Sequence, residues 1–128
     1  MYPLPGDLMI LSDIDQHWAV IKPGLKHVRM KAGGDWTPHK IRKACRQKQA
    51  FLFIAPEGFV VVRADPKALH IWVAYGKGGG LISKYQPFID QLARDISATR
   101  ITIQSQRTAY RRLPGWTATG RDTYERSL

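Results

Sequence analysis

The stretch WVAYGKGGGLISKY, residues 72–85, carries the clearest chemical signal in the chain. An apolar run ends at Tyr75, four of the next five residues are glycine, and apolar residues then recur at helical spacing. A strand, a bare bend and a helix start together make an anion site. The first amides of a helix have no partner of their own, and the helix dipole favours negative charge there. Glycine adds positive φ and lets backbone approach a ligand without a Cβ in the way. Lys77 contributes a point charge suited to phosphate. A plain tight turn does not require three consecutive glycines, so Gly78, Gly79 and Gly80 point to ligand contact.

The loop is neither of two familiar phosphate binders. No Gly-Lys-Ser/Thr closes it, as a Walker A loop requires. The dinucleotide fingerprint needs a parallel βαβ unit at the start of the chain and an acidic residue ending a second strand about 20 residues on, and neither is found. Other chemistry-bearing side chains are scattered. His17, His27 and His39 have no metal-ligand spacing, and Cys45 has no histidine fixed beside it to activate a nucleophile. Glu57 and Asp65 fall in turns. His70 lies within a strand, near its start.

The elements that position the loop follow from periodicity and punctuation. LMIL (8–11) reads as a short first strand. Ser12 and Asp15 resemble a capping box, followed by Ile14, Trp18 and Ile21 at helical spacing. Lys22-Pro23-Gly24 is expected to stop or kink that helix, with Leu25 and Val28 on a second short piece. Thr37 as N-cap and Pro38 at the first helical position open a surface helix over 37–50. The residues FLFIA (51–55), GFVVVRA (58–64) and ALHIWVAY (68–75) are β-branched and aromatic. Turns at Pro56-Glu57-Gly58 and Asp65-Pro66-Lys67 join them into an antiparallel meander. Both strand faces are apolar, which predicts helices on both sides. Leu81, Tyr85, Phe88, Ile89, Leu92 and Ile96 mark one buried helix face, with Ser83 as the expected N-cap. A strand over 100–106, a short helix over 107–113 and a closing strand or hairpin complete a single domain, residues 1–128.

Twenty Lys and Arg against ten Asp and Glu leave a net charge of +10, so an anionic partner is expected. Lys26, Arg29, Lys31, Lys40, Arg42, Lys43 and Arg46 lie between Lys22 and Lys48, with Asp35 the single acid. Arg107, Arg111, Arg112 and Arg121 form a second group. One cysteine permits no internal disulfide and fits a reducing compartment. The first residues lack a signal-peptide pattern, and no apolar run approaches the roughly 20 residues that span a bilayer. The expected location is therefore cytoplasmic, with no membrane partner and no metal.

The loop resembles the acyl-CoA loop of the GNAT acyltransferase superfamily, Gln/Arg-Gly-x-Gly-x-Gly/Ala. Tyr75-Gly76-Lys77-Gly78-Gly79-Gly80 matches it everywhere but at Tyr75. FIDQLAR (88–94) is similar to the helix after that loop, RITIQSQ (100–106) to the fifth strand, and AYRRLPGW (109–116) to the C-terminal aromatic box with Pro114 added. The resemblance implies a mixed α+β fold with a mostly antiparallel sheet covered on both faces. Its fourth and fifth strands would splay apart near residues 72–76 and 100–105.

The same resemblance implies that acetyl-CoA or CoA lies in that gap. Backbone groups at Trp72, Val73, Ala74 and Tyr75 would pair with pantetheine, and the amides of Gly76 to Leu81, with Lys77, would hold the pyrophosphate. Tyr110 would be the general acid that protonates the departing thiolate, with His70 the candidate base and an amine as acceptor. The chain also resembles small GNAT-like bacteriophage proteins. That implies a second reading, a GNAT-fold binding or structural protein without turnover, associated with a virion. A third reading is nucleic-acid binding through the basic helix 37–50. It is disfavoured because no exposed aromatic platform is interleaved with those cations.

Overall fold

The computed structural model describes residues 8–76 and 80–128. Seven strands form one sheet in the order β1-β2-β3-β4-β5-β7-β6. They are β1 (Ile10–Ser12), β2 (Phe51–Ala55), β3 (Gly58–Asp65), β4 (Ala68–Gly76), β5 (Arg100–Gln104), β6 (Trp116–Ala118) and β7 (Thr123–Ser127). Every pairing is antiparallel except that of β4 with β5. Short turns force the antiparallel hairpins, whereas the helical crossover between β4 and β5 brings the chain back parallel.

Alternation along β3 divides the core. Val60 and Val62 join a cluster with Tyr85, Ile89 and Tyr124, while Phe59 and Val61 join one with Ile21, Leu25 and Ile41. Helices α1 (Trp18–Ala32) and α2 (Pro38–Arg46) therefore cover one face of the sheet. Helices α3 (Leu81–Lys84) and α4 (Gln86–Asp95) cover the other. Each fully buried Ile or Leu contributes about 1.5–3 kcal/mol relative to exposure, so both clusters are needed to hold the sheet.

Three local expectations need correction. Ser12 closes β1 and bonds back to the Ile10 carbonyl. The Asp13 carboxylate instead accepts from the amides of Asp15 and Gln16, making an Asx turn, and α1 begins at Trp18. Pro23 does not stop α1, which runs unbroken for 15 residues. Burial of Ile21, Leu25 and Val28 on one stripe outweighs the missing amide. Ser83 is not an N-cap either: α3 starts at Leu81 after left-handed Gly80, and Pro87 sits in the first turn of α4. Thr37 does cap α2, its Oγ1 accepting from the Lys40 amide at 3.2 Å.

A partly buried ion pair locks the C-terminal hairpin to α4. Arg126 on β7 donates from Nε and Nη2 to the Asp90 carboxylate at 3.0 and 2.9 Å. Gln86 donates to the same carboxylate and accepts from the Trp116 indole at 3.0 Å. Removing one partner of such a pair strands the other charge. Asp90→Ala should lower unfolding free energy by about 3 kcal/mol, as measured by urea denaturation; a loss below about 1 kcal/mol would show that the pair is not a tie.

Candidate functional site

The site begins where β4 and β5 stop pairing. Their register runs from Ala68 opposite Arg100 to Ile71 opposite Ile103. Beyond that point β4 continues to Gly76, held only by β3, where Gly58 pairs with Gly76. A Cβ on Gly58 would stand 1.9 Å from the Tyr75 carbonyl oxygen, so glycine is required for this close approach. A β-bulge sits at the fork. Val61 opposes Val73 and Val62 opposes Ile71, leaving Trp72 as the extra residue. The strand's facing pattern shifts there: Leu69 and Ile71 belong to one core cluster, Trp72 and Val73 to the other.

The chain after β5 is drawn away from β4 by other partners. Ser105 donates its amide to the Asp122 carbonyl at 2.7 Å, and Gln106 donates to the Ala32 carbonyl at 3.0 Å. The wedge so opened holds adjoining cavities. The first, of about 160 Å³, is bordered by Ala74, Gly76, Gly80, Leu81, Arg107 and Tyr110. A narrow passage continues it through Ala74, Arg107 and Tyr110 to Trp72, Val73, Gln104 and Trp36. A third, of about 50 Å³, shares Trp36, Trp72 and Gln104 with the passage and reaches His70, Arg63 and Asp35. Together they run from the start of α3 to the sheet face that carries His70.

Tyr110, on a 3-10 helix over Thr108–Arg112, borders both the first cavity and the passage. Its ring packs on Tyr124 and Trp116, with centroids 5.6 and 6.2 Å away. Burial pushes its hydroxyl above the usual tyrosine range, opposed by the nearby Arg107 charge. The phenol therefore stays protonated at neutral pH. Among the described residues no buried side-chain oxygen lacks a hydrogen-bond partner.

His70 bonds through Nδ1 to Thr102 Oγ1 at 2.8 Å, which leaves Nε2 as the ring nitrogen open to a ligand. Burial, reinforced by the Arg63 charge, lowers its pKa below 6.5, so the imidazole is neutral at pH 7. Other titratable groups are already engaged. Glu57 accepts from Lys84 and from the Tyr85 hydroxyl, which hold its carboxyl below the ordinary range. Asp65 is paired with Arg63. Cys45 is half-buried in apolar surroundings that push its thiol up to about 11. Two cations of α2, Arg42 and Arg46, close on Asp15.

The structure thus places Trp72, Val73, Ala74, Gly76, Gly80, Leu81 and Tyr110 on two adjoining cavities, with His70 on a third that shares Trp72 with its neighbour. Tyr75 differs. Its ring packs on Phe59 and His27, at 5.4 and 5.7 Å, and so helps seat α1 on the sheet. Lys77, Gly78 and Gly79 lie outside the described residues. Sequence reasoning missed Arg107, Trp36 and Gln104. Arg107 had a signal in its place three residues before Tyr110, whereas Trp36 enters the cleft from a loop with no periodic pattern to orient it.

No protein-family model matches the sequence, and no curated protein matches it. Solved structures do. The PaiA N-acetyltransferase of Thermoplasma acidophilum, in complex with coenzyme A, superposes with a TM-score of 0.65 at 7% identity, over 94% of this chain and 99% of that one. A GNAT family acetyltransferase from Brucella melitensis, in complex with acetyl-CoA, gives 0.59 at 15% identity over 95% and 89%. This chain has the GNAT fold. The N-acetylglutamate synthase of Neisseria gonorrhoeae, complexed with coenzyme A and N-acetyl-glutamate, gives 0.63 at 14% identity over 94% of this chain and 35% of that longer one. The expected GNAT architecture, a mostly antiparallel sheet with helices on both faces, is the one observed.

His70 gives the site a readable pH signature. Its folded pKa lies below the unfolded value of 6.5, so the unfolded chain takes the proton first and stability falls as pH drops below 6.5. His70→Gln should remove this increment, and its melting temperature should fall less between pH 7 and pH 5 than that of the wild type. Equal falls in thermal scans would mean that His70 is not held neutral by the fold.

Proposed function

We propose that the chain is an acyl-CoA-dependent N-acyltransferase, with acetyl-CoA as donor and an amine as acceptor. The observation that carries this reading is the fork: beyond the bulged Trp72, four residues of β4 have a strand partner on one side only, beside a cavity bordered by Tyr110. Unpaired main-chain groups along a strand suit the amides of pantetheine, which can add as a further strand. Gly80 has φ of +74°, and among the described residues a Cβ there would meet nothing within 4 Å, so the backbone at the loop end is accessible to a ligand. The nearby Arg107 favours an anion. The residues present therefore fit the donor. In this assignment Trp72 to Tyr75 pair with pantetheine, and Gly76 to Leu81, with Lys77, receive the phosphates.

The bound thioester supplies an activated acyl carbon. His70 Nε2 takes a proton from the acceptor ammonium, freeing the nitrogen lone pair. The amine forms a C–N bond to that carbon and the C–S bond breaks. Tyr110 donates its proton to the leaving thiolate, the second amine proton passes to water, and solvent restores the phenol. Amides of β4 beside the bulge stabilise the carbonyl oxygen as charge develops on it.

Calorimetric titration with acetyl-CoA tests the binding half. At 100 times its dissociation constant the ligand should stabilise the fold by about 2.7 kcal/mol in thermal shift. Gly78→Asp, which sets a carboxylate against the phosphates, should abolish the shift. Absence of any shift in the wild type at millimolar acetyl-CoA would remove the proposal. Tyr110→Phe tests the chemical half: acetyl-CoA affinity should stay the same while kcat falls about 100-fold. Undiminished turnover would strip Tyr110 of its role.

A further inference from the structure

Among the described residues Arg63 is the one Lys or Arg lining the third cavity, where Asp35 is the one carboxylate. On β3 it pairs in register with His70 on β4, which pairs in register with Thr102 on β5. The three side chains form a polar row across one face of the sheet. The guanidinium carbon lies 4.9 Å from the centre of the Trp72 ring, on the bulged residue at the fork. Stacking fixes the guanidinium plane at little further entropic cost. Asp65 bonds to Nε alone, at 3.1 Å. The two terminal nitrogens have no hydrogen-bond partner among the described residues. They present the paired donors that match a carboxylate.

The charge pattern selects among amines. The third cavity sets Arg63 beside Asp35, so a simple ammonium approaching His70 would engage the carboxylate alone and leave the guanidinium unmatched. An acceptor with its own anion beside the amine engages both. Side chains in register on adjacent strands are about 4.5–5.5 Å apart at Cβ, so amine and anion must be separated by only a few bonds. Resting on the acyl-transfer reading, we infer that the acceptor is a free amino acid, held through its carboxylate by Arg63 with its amine at His70. The cleft then receives its two substrates from opposite ends: the acyl donor from the α3 end, the amino acid from the Arg63 end.

The test uses amino acids and their decarboxylated counterparts: phenylalanine and phenethylamine, histidine and histamine, lysine and cadaverine. Thiol release from acetyl-CoA should give a KM at least about tenfold lower for the amino acid of a preferred pair. Arg63→Gln should erase that difference by raising KM for the amino acid by more than it changes the KM of the bare amine. Arg63→Lys should restore only part of it, because a point charge cannot fork. Equal KM values within every pair for the wild type, or a rise in Arg63→Gln shared by both members, would overturn the inference. Quenching of intrinsic tryptophan fluorescence by each amino acid, without donor, reads the pocket independently of turnover. No saturable quenching by any amino acid up to about 10 mM would also overturn it. Acetyl-CoA calorimetry on the same preparations separates the two readings: donor binding without carboxylate preference sinks this inference alone.

Discussion

The end of one parallel ladder sets the shape on which everything else depends. Past Gln104 the chain stays with the β7 side, Ser105 donating its amide to the Asp122 carbonyl, while Gln106 gives its amide to the Ala32 carbonyl of α1 rather than to β4. The pairing of β4 with β5 ends at Ile71 and Ile103. β4 cannot follow, because β3 pairs with it to the last residue. The cleft is the geometric remainder of two strands with different obligations. The bulge at Trp72 lies where those obligations diverge, and it turns an aromatic ring toward the face where Arg63 stands.

Much of this was legible in the residues. Strands β2, β3 and β4 match the β-branched runs nearly residue for residue, since Pro56-Glu57-Gly58 and Asp65-Pro66-Lys67 admit little besides tight turns. Thr37-Pro38 marked the start of α2 because cap and ring chemistry act locally. The misses share one cause. Pro23, Ser12 and Ser83 are local signals that tertiary contacts overrule: a buried stripe carries α1 through its proline, and left-handed Gly80 starts α3 early. Within the site, Ala74, Gly80 and Tyr110 could be named from their order along the chain. Arg63 could not. Its importance comes from a strand register and a bulge, and neither is written in the composition of β3.

Tyr110 illustrates how a packed residue can also border a cleft. Its ring belongs to the core with Tyr124 and Trp116, which fixes the hydroxyl to within a rotamer. The burial that anchors it also keeps it protonated. The Asp90–Arg126 pair reinforces this from behind by tying α4 to β7, the strand that carries Tyr124. Precision at the phenol thus has its source in the hairpin that closes the sheet.

The sheet's two borders deserve a last comparison. One is β1 and the other β6, and each is three residues long. Ile10 and Leu11 are 70% and 60% exposed, an apolar pair that on a longer strand would recruit a second chain. Three residues give too few ladder bonds to template such growth. The protein can therefore leave greasy side chains in water at its rim without inviting ribbons, while the half-paired stretch of β4 lies within the sheet, away from both borders.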